Sequence, residues 1–187
     1  MLTLPYNPYK DIITVIGDNG SGKTTLVGTL FTHKENCFVI NCSGQAIWNK
    51  YINPDNIIVP VVYTNTWLEK TLLTIASKYN KKATILIDDI DNFQVKGSQV
   101  FKSLTINARH LNFGIIAISR TLSDIPKIFY RQSRYLFIAT QTSDYDIYYI
   151  ATIIGYENAK ALKTLPKYVF ALWDRDNKRL TKIKLNI

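Results

Sequence analysis

The string Gly17-Asp18-Asn19-Gly20-Ser21-Gly22-Lys23-Thr24 satisfies the spacing G-x-x-x-x-G-K-[ST] at every fixed position. Glycines at these places let the backbone turn tightly, so that successive N–H groups point inward at phosphate oxygens. The N-terminus of a following helix adds partial positive charge. In such a loop, running from Gly17 to Thr25, Lys23 reaches the β- and γ-phosphates of a nucleotide and Thr24 gives its hydroxyl to Mg²⁺. The ligands expected are ATP and Mg²⁺.

The loop needs a carboxylate beside it, at the end of an apolar strand. Ile85-Leu86-Ile87-Asp88-Asp89 has that form. Asp88 is predicted to hold Mg²⁺ through water, and Asp89 to orient or deprotonate the attacking water. Two adjacent carboxylates repel each other, which a metal and a lysine nearby make tolerable. The structural alternative is a solvated turn after the strand, with Asp91 as a helix cap.

These groups must be positioned by alternating strands and helices. Apolar runs and helical patterns alternate along the chain, which predicts an α/β fold with a mostly parallel sheet flanked by helices. The first strand, Asp11 to Ile16, runs into the loop. A helix with Leu26, Val27, Leu30 and Phe31 on one face follows. Further strands are expected at Cys37 to Asn41, Ile57 to Tyr63 (edge or broken, because of Pro60), Ala83 to Ile87, Gly114 to Ser119 and Tyr135 to Thr140. Thr66 with Glu69 forms a capping-box pattern before a helix whose apolar positions are Leu68, Leu72, Ala76 and Tyr79. Ser98 to Leu111 reads as a helix with Val100, Phe101, Leu104 and Ala108 inward, and Asp144 to Ile154 as another. Tyr168 to Trp173 and Leu180 to Leu185 flank the turn at Asp174 to Asn177, which predicts a C-terminal β-hairpin and a mixed sheet at one edge.

The length of 187 residues suits a single P-loop ATPase domain over 1–187, with no repeat or linker. No apolar run is long enough for a transmembrane segment, and the first ten residues lack the apolar core of a signal peptide. The only cysteines, Cys37 and Cys42, are too close in sequence to suggest a structural disulfide, which favours a reducing, intracellular setting. His33 and His110 lack metal-ligand spacing, so no zinc site is predicted. Against 14 acidic residues stand 23 basic ones, a net charge of +9 that suits a polyanionic partner, nucleic acid first. Tyr6 and Tyr9 are candidates for stacking on adenine, with packing against the core as the commoner role.

The stretch Arg109-His110-Leu111-Asn112-Phe113-Gly114-Ile115-Ile116-Ala117-Ile118-Ser119, followed by Ser123-Asp124-Ile125-Pro126, resembles the FtsK–HerA superfamily of DNA-pumping ATPases. Those proteins show an Arg, a short turn with Gly, an apolar strand ending in Ser-Gln, then an acidic residue and often Ile-Pro. The likeness runs from Ile12 to about Phe170, and by size it is nearest the compact viral genome-packaging ATPases of double-stranded DNA viruses. The resemblance implies a RecA-like core of the ASCE type, with another strand between those carrying the phosphate loop and the acidic pair. It implies a homo-oligomeric ring acting on double-stranded DNA without regard to sequence. A capsid, portal or membrane protein would complete it, in the host cytoplasm or the virion. Arg109 takes the place of the family's arginine finger, which reaches the neighbouring subunit's γ-phosphate. The family's sensor Gln is here Arg120, so either a different donor senses phosphate or Arg120 is the finger. The loop Asn92 to Gly97 with Lys96, and the cluster Lys127, Arg131 and Arg134, are candidate DNA contacts.

Two other readings stay open. A nucleotide-dependent DNA-binding or loader module would bind ATP and DNA without processive movement. A small-molecule kinase fits the size and the phosphate loop, but no convincing Arg-rich lid is present.

Overall fold

Each central strand is buried at every position, because both faces of the sheet are covered. The computed structural model describes residues 4–32, 36–78, 82–108 and 110–185. In chain order its elements are β1 (Ile12–Ile16), α1 (Lys23–Phe31), β2 (Cys37–Asn41), β3 (Ile57–Ile58), α2 (Asn65–Lys78), β4 (Ala83–Asp88), α3 (Gln99–Asn107), β5 (Phe113–Ser119), α4 (Lys127–Gln132), β6 (Tyr135–Ile138), α5 (Asp144–Ile154), α6 (Tyr156–Lys160), β7 (Val169–Asp174) and β8 (Arg179–Lys184). A 3₁₀ turn, Ala46–Lys50, carries Trp48.

The eight strands form one sheet in the order β3-β2-β4-β5-β1-β6-β7-β8. From β3 to β6 every pairing is parallel. β7 and β8 add antiparallel as the C-terminal hairpin. β5 lies between β1 and β4, as a RecA-like core requires. Alternate strand residues feed two hydrophobic clusters. Ile12 and Ile16 of β1 join Leu72 of α2, Phe101 of α3, Phe129 of α4 and Ile150 of α5. Ile13 and Val15 join Leu26 and Phe31 of α1 and Trp48.

Several boundaries differ from those expected. Only Ile57 and Ile58 of the stretch to Tyr63 pair, at the sheet's edge, because Pro60 has no N–H to give. The cap of α2 is Thr64, whose hydroxyl accepts from the Trp67 N–H. Glu69 does not close a box with Thr66; it takes the hydroxyl of Ser98, the N-cap of α3. Val100 is exposed, while Phe101, Leu104 and Ala108 are buried as expected. Tyr79 and His33 lie outside the described residues. Tyr6 sets its ring edge-on against Phe31, 4.9 Å between centroids, so it serves the core and not a nucleotide. Cys37 and Cys42 are buried and free.

Arg134 is also structural. Its Nη1 donates to Asp11 Oδ2 at 3.0 Å, and the Asn7 N–H donates to the same oxygen at 2.7 Å. Asp11 is only 8 % exposed and stands immediately before β1. Removing the guanidinium leaves a buried carboxylate short of a donor. Arg134→Ala is expected to cost about 2 kcal/mol, lowering Tm by roughly 4–8 °C in a thermal melt. An unchanged Tm would show that Asp11 is satisfied without it.

Candidate active site

In a parallel sheet, the strand ends that precede loops lie together at one edge, and here that edge collects polar residues. β1 runs into Gly17, β2 into Asn41 and Ser43, β4 into Asp88 and Asp89, β5 into Ser119 and Arg120, and β6 into Thr140 and Gln141. The start of the phosphate loop is anchored there twice. The Gly17 N–H donates to the Arg120 carbonyl at 3.3 Å and the Asp18 N–H to the Thr140 carbonyl at 2.9 Å. The Asp18 carboxylate accepts from the Thr142 N–H. A side chain at Gly17 would collide with Ala139. Gly22 caps α1 at φ 101°, and a side chain there would run into the ring of Tyr168. Both positions therefore demand glycine.

Lys23 is 7 % exposed, and its Nζ donates to the carbonyls of Gly17 at 2.7 Å and Asp18 at 3.1 Å. Burial lowers its pKa, while Asp89 and Asp88 pull the other way. Asn19, Gly20, Thr24 and Thr25 line a cavity of about 230 Å³ together with Gly22 and Lys23. Across it stand Ser43, Gln45, Asp88 and Asp89, with Lys167 and Tyr168 as a further wall. The first-turn N–H groups of α1 have no acceptor within the helix. Ser21 Oγ is buried without a partner among the described residues. Unspent donors of this kind fit a phosphate. Thr24 and Asp88, a hydroxyl and a carboxylate lining the same cavity, suit an oxygen-loving cation such as Mg²⁺.

Asp88 is 2 % exposed. Trp48 Nε1 donates to its Oδ2 at 2.8 Å and Ser43 Oγ to the same oxygen at 3.1 Å. Burial pushes its pKa up to about 6, against the pull of the Trp48 bond. Asp89 adopts a left-handed conformation, φ 52°. Burial and Asp91 raise its pKa, and Lys23 and Arg120 oppose them. Asp91 is neither a cap nor a solvated turn, because its nearly buried carboxylate accepts from Arg120 Nε at 2.8 Å. Arg120 thus leans over its own chain's acidic strand end. Arg109 lies outside the described residues.

Trp48, Ser43, Gln141 and Tyr168 escaped sequence reasoning. Gln141, fully buried, donates to the Arg120 carbonyl at 3.0 Å. Its signal was available, a polar residue directly after an apolar strand. Trp48 and Tyr168 carry no such signal, since only the folded chain brings them to the site. Among the described residues no group of His, Cys, Asp and Glu forms a metal cluster, and His110 is exposed.

Residues 4–183 match the family described as Poxvirus A32 protein. None of the curated proteins matches the sequence. Among solved structures, B204, the DNA-packaging ATPase from Sulfolobus Turreted Icosahedral Virus, is 20% identical, with a TM-score of 0.81 over 96% of this chain and 98% of that one. The genome packaging NTPase B204 from Sulfolobus turreted icosahedral virus 2, in complex with ATP-gammaS, is 19% identical, with a TM-score of 0.83 over 97% of this chain and 100% of that one. The pCW3 conjugation coupling protein TcpA, also with ATPgS, is 13% identical, with a TM-score of 0.65 over 95% of this chain and 60% of that one. At these identities the likeness is one of fold alone.

Because the raised pKa of Asp88 favours its protonated form in the folded protein, ionising it weakens the ligand-free fold. That penalty is complete above about pH 6 and fades toward the unfolded carboxyl value near pH 4. Asp88→Asn keeps an acceptor for Trp48 and Ser43 and removes the charge. In EDTA at pH 8 it is expected to raise Tm by roughly 2–8 °C, with the gain vanishing near pH 4. A lower Tm at pH 8 would contradict this electrostatic account.

Proposed function

This chain belongs to the Poxvirus A32 protein family, and we propose on that premise that it is an ATP-hydrolysing motor that moves double-stranded DNA into a viral capsid. The observation that carries the reading is that the phosphate loop, Lys23, Thr24, Asp88 and Asp89 line one cavity. In this reading 1–187 is one ATPase domain, active as a homo-oligomeric ring, intracellular or virion-associated, and completed by a capsid, portal or membrane protein. Among the described residues no helix is long and apolar enough to cross a membrane.

Backbone N–H groups between Asn19 and Thr25 cradle the phosphates of ATP. Lys23 exchanges its two loop carbonyls for β- and γ-phosphate oxygens. Asp89 orients the attacking water and takes its proton; a carboxyl held above its usual pKa is a better proton acceptor. Thr24 and Asp88 would hold Mg²⁺, Thr24 by its hydroxyl and Asp88 through water. Bound there, Mg²⁺ neutralises charge on the β- and γ-phosphates. Trp48 is a positioning residue that fixes the carboxylate and favours its charged form. Arg120, tied to Asp91 of its own chain, senses the γ-phosphate in cis. That leaves Arg109, two residues past α3 in the sequence, to reach the neighbouring subunit's site as the finger. DNA is held by its phosphates, since a packaging motor must accept any sequence.

Two measurements test this reading. ATP hydrolysis should be stimulated by double-stranded DNA and fall by about 10²-fold or more in Lys23→Ala and in Arg109→Ala. Mixing those two inactive variants should restore part of the activity, because each supplies what the other lacks. Turnover indifferent to DNA, with no restoration on mixing, would overturn the motor and its shared site. Trp48→Phe should move the acid limb of the kcat/KM–pH profile upward by on the order of one unit, because the carboxylate loses a donor. A fall in activity with an unmoved limb would reduce Trp48 to a core residue.

A further inference from the structure

Two concavities lie on the helical face of the sheet, apart from the nucleotide cavity. One, of about 350 Å³, sits among α4, α5 and β7 and is bordered by Lys127, Arg131, Tyr149 and Trp173. The other, of about 440 Å³, is bordered by Lys96, Lys102 and again Lys127 and Tyr149. Sharing two residues, they form one groove. It begins at the turns that follow Asp88 and Asp89. It ends by Leu136 and Trp173, which pair at the far end of the sheet from the phosphate loop.

The groove is cationic, and most of that charge is unspent. Lys102, Lys127 and Arg131 are exposed and have no acidic partner among the described residues. Lys127 and Arg131 stand one turn apart on α4 and border the same concavity. Lys96 meets Asp124 only at 4.0 Å, with both side chains about half exposed, so the pair is weak. Two neighbouring cations are already committed. Arg175 donates to the Gln132 carbonyl and pairs with Asp176, and Arg134 holds Asp11. The rings of the groove are committed as well. Tyr130 donates its hydroxyl to that of Tyr149 at 3.0 Å, and the two rings pack edge-on. Tyr130 and Tyr149 are thus taken up with each other, and the cations along the groove are the groups left to meet a ligand, which suits them to the phosphates of a nucleic-acid backbone.

We propose that this groove, from Lys96 through Lys102 and Lys127 to Arg131, is the track on which the phosphate backbone of duplex DNA lies. The proposal rests on the motor reading and names the surface that would carry it. Its near end shares chain segments with the acidic strand end. Asp91 holds Arg120, Lys96 lies five residues beyond Asp91, and Asp124, four beyond Arg120, faces Lys96. A phosphate at Lys96 competes directly with Asp124. The groove is therefore joined to the nucleotide cavity by the two segments that carry its acid and its sensor.

The test is the salt dependence of binding to a random-sequence 30-base-pair duplex, followed by anisotropy. Each phosphate contact contributes about 0.9 to the slope of log K against log salt. Lys127→Gln/Arg131→Gln should therefore flatten the slope by about 2, equally for every sequence tried. Lys182→Gln/Lys184→Gln, exposed on β8, should leave it unchanged. Undiminished ATP-γS binding in all proteins would show that the fold and nucleotide cavity are intact. Equal slopes for wild type and the groove variant, or equal losses in the groove and β8 variants, would overturn the groove while leaving a DNA motor standing. A wild-type protein that does not bind duplex at all would overturn both.

Discussion

A carboxylate buried at the end of an apolar strand keeps its charge only if donors are brought to it, and the architecture around Asp88 is organised by that need. β2 runs beside β4 with Asn41 opposite Asp88, so the residues just past β2 arrive at the carboxylate. Ser43 is one of them, and it bonds both Asn41 and Asp88. The chain then turns back and buries Trp48 against the cluster that holds α1, with its indole N–H on Asp88. The same indole thus fixes the acidic strand end and packs under the helix whose first turn carries Lys23 and Thr24. The two halves of the site are set relative to each other by a core side chain.

The phosphate loop is held in an equally definite way. β5 and β6 flank β1, and the carbonyls at their ends accept the loop's first two N–H groups. The C-terminal strands add a brace from the other side. The Tyr168 N–H donates to the Ser21 carbonyl, and its ring fills the space beside Gly22. Tyr168 sits at φ 64°, a conformation that non-glycine residues occupy at some cost. A loop braced on both sides needs little reorganisation to receive phosphate, which is the condition for electrostatic catalysis to be effective.

Much of this was legible in the sequence, wherever a short local pattern dictates geometry. The α/β alternation depends on contiguous residues with fixed periods and appears where expected; the phosphate loop and the acidic pair, read from equally short patterns, line one cavity. The intervening strand was not readable from periodicity; it came from the resemblance carried by Arg109 to Pro126. What escaped depends on contacts distant in sequence. Trp48 is 40 residues from Asp88 and sits in an irregular stretch with no pattern. Thr64 caps α2 although Thr66 and Glu69 offer a better-looking box, because Ser98 draws Glu69 into a tertiary bond. Arg134 reads as one more cation beside Lys127 and Arg131 until the fold sets it against Asp11.

In the proposed motor, ATP hydrolysis at this braced site is converted into movement along duplex DNA. Displacement of a triplex-forming oligonucleotide from a long duplex measures that movement directly. Such a motor should give release that requires ATP, is lost with ATP-γS and with Lys23→Ala, and takes longer in proportion to the distance from the duplex end to the triplex. Robust DNA-dependent ATP turnover without any release would contradict it, leaving a DNA-activated ATPase that does not translocate.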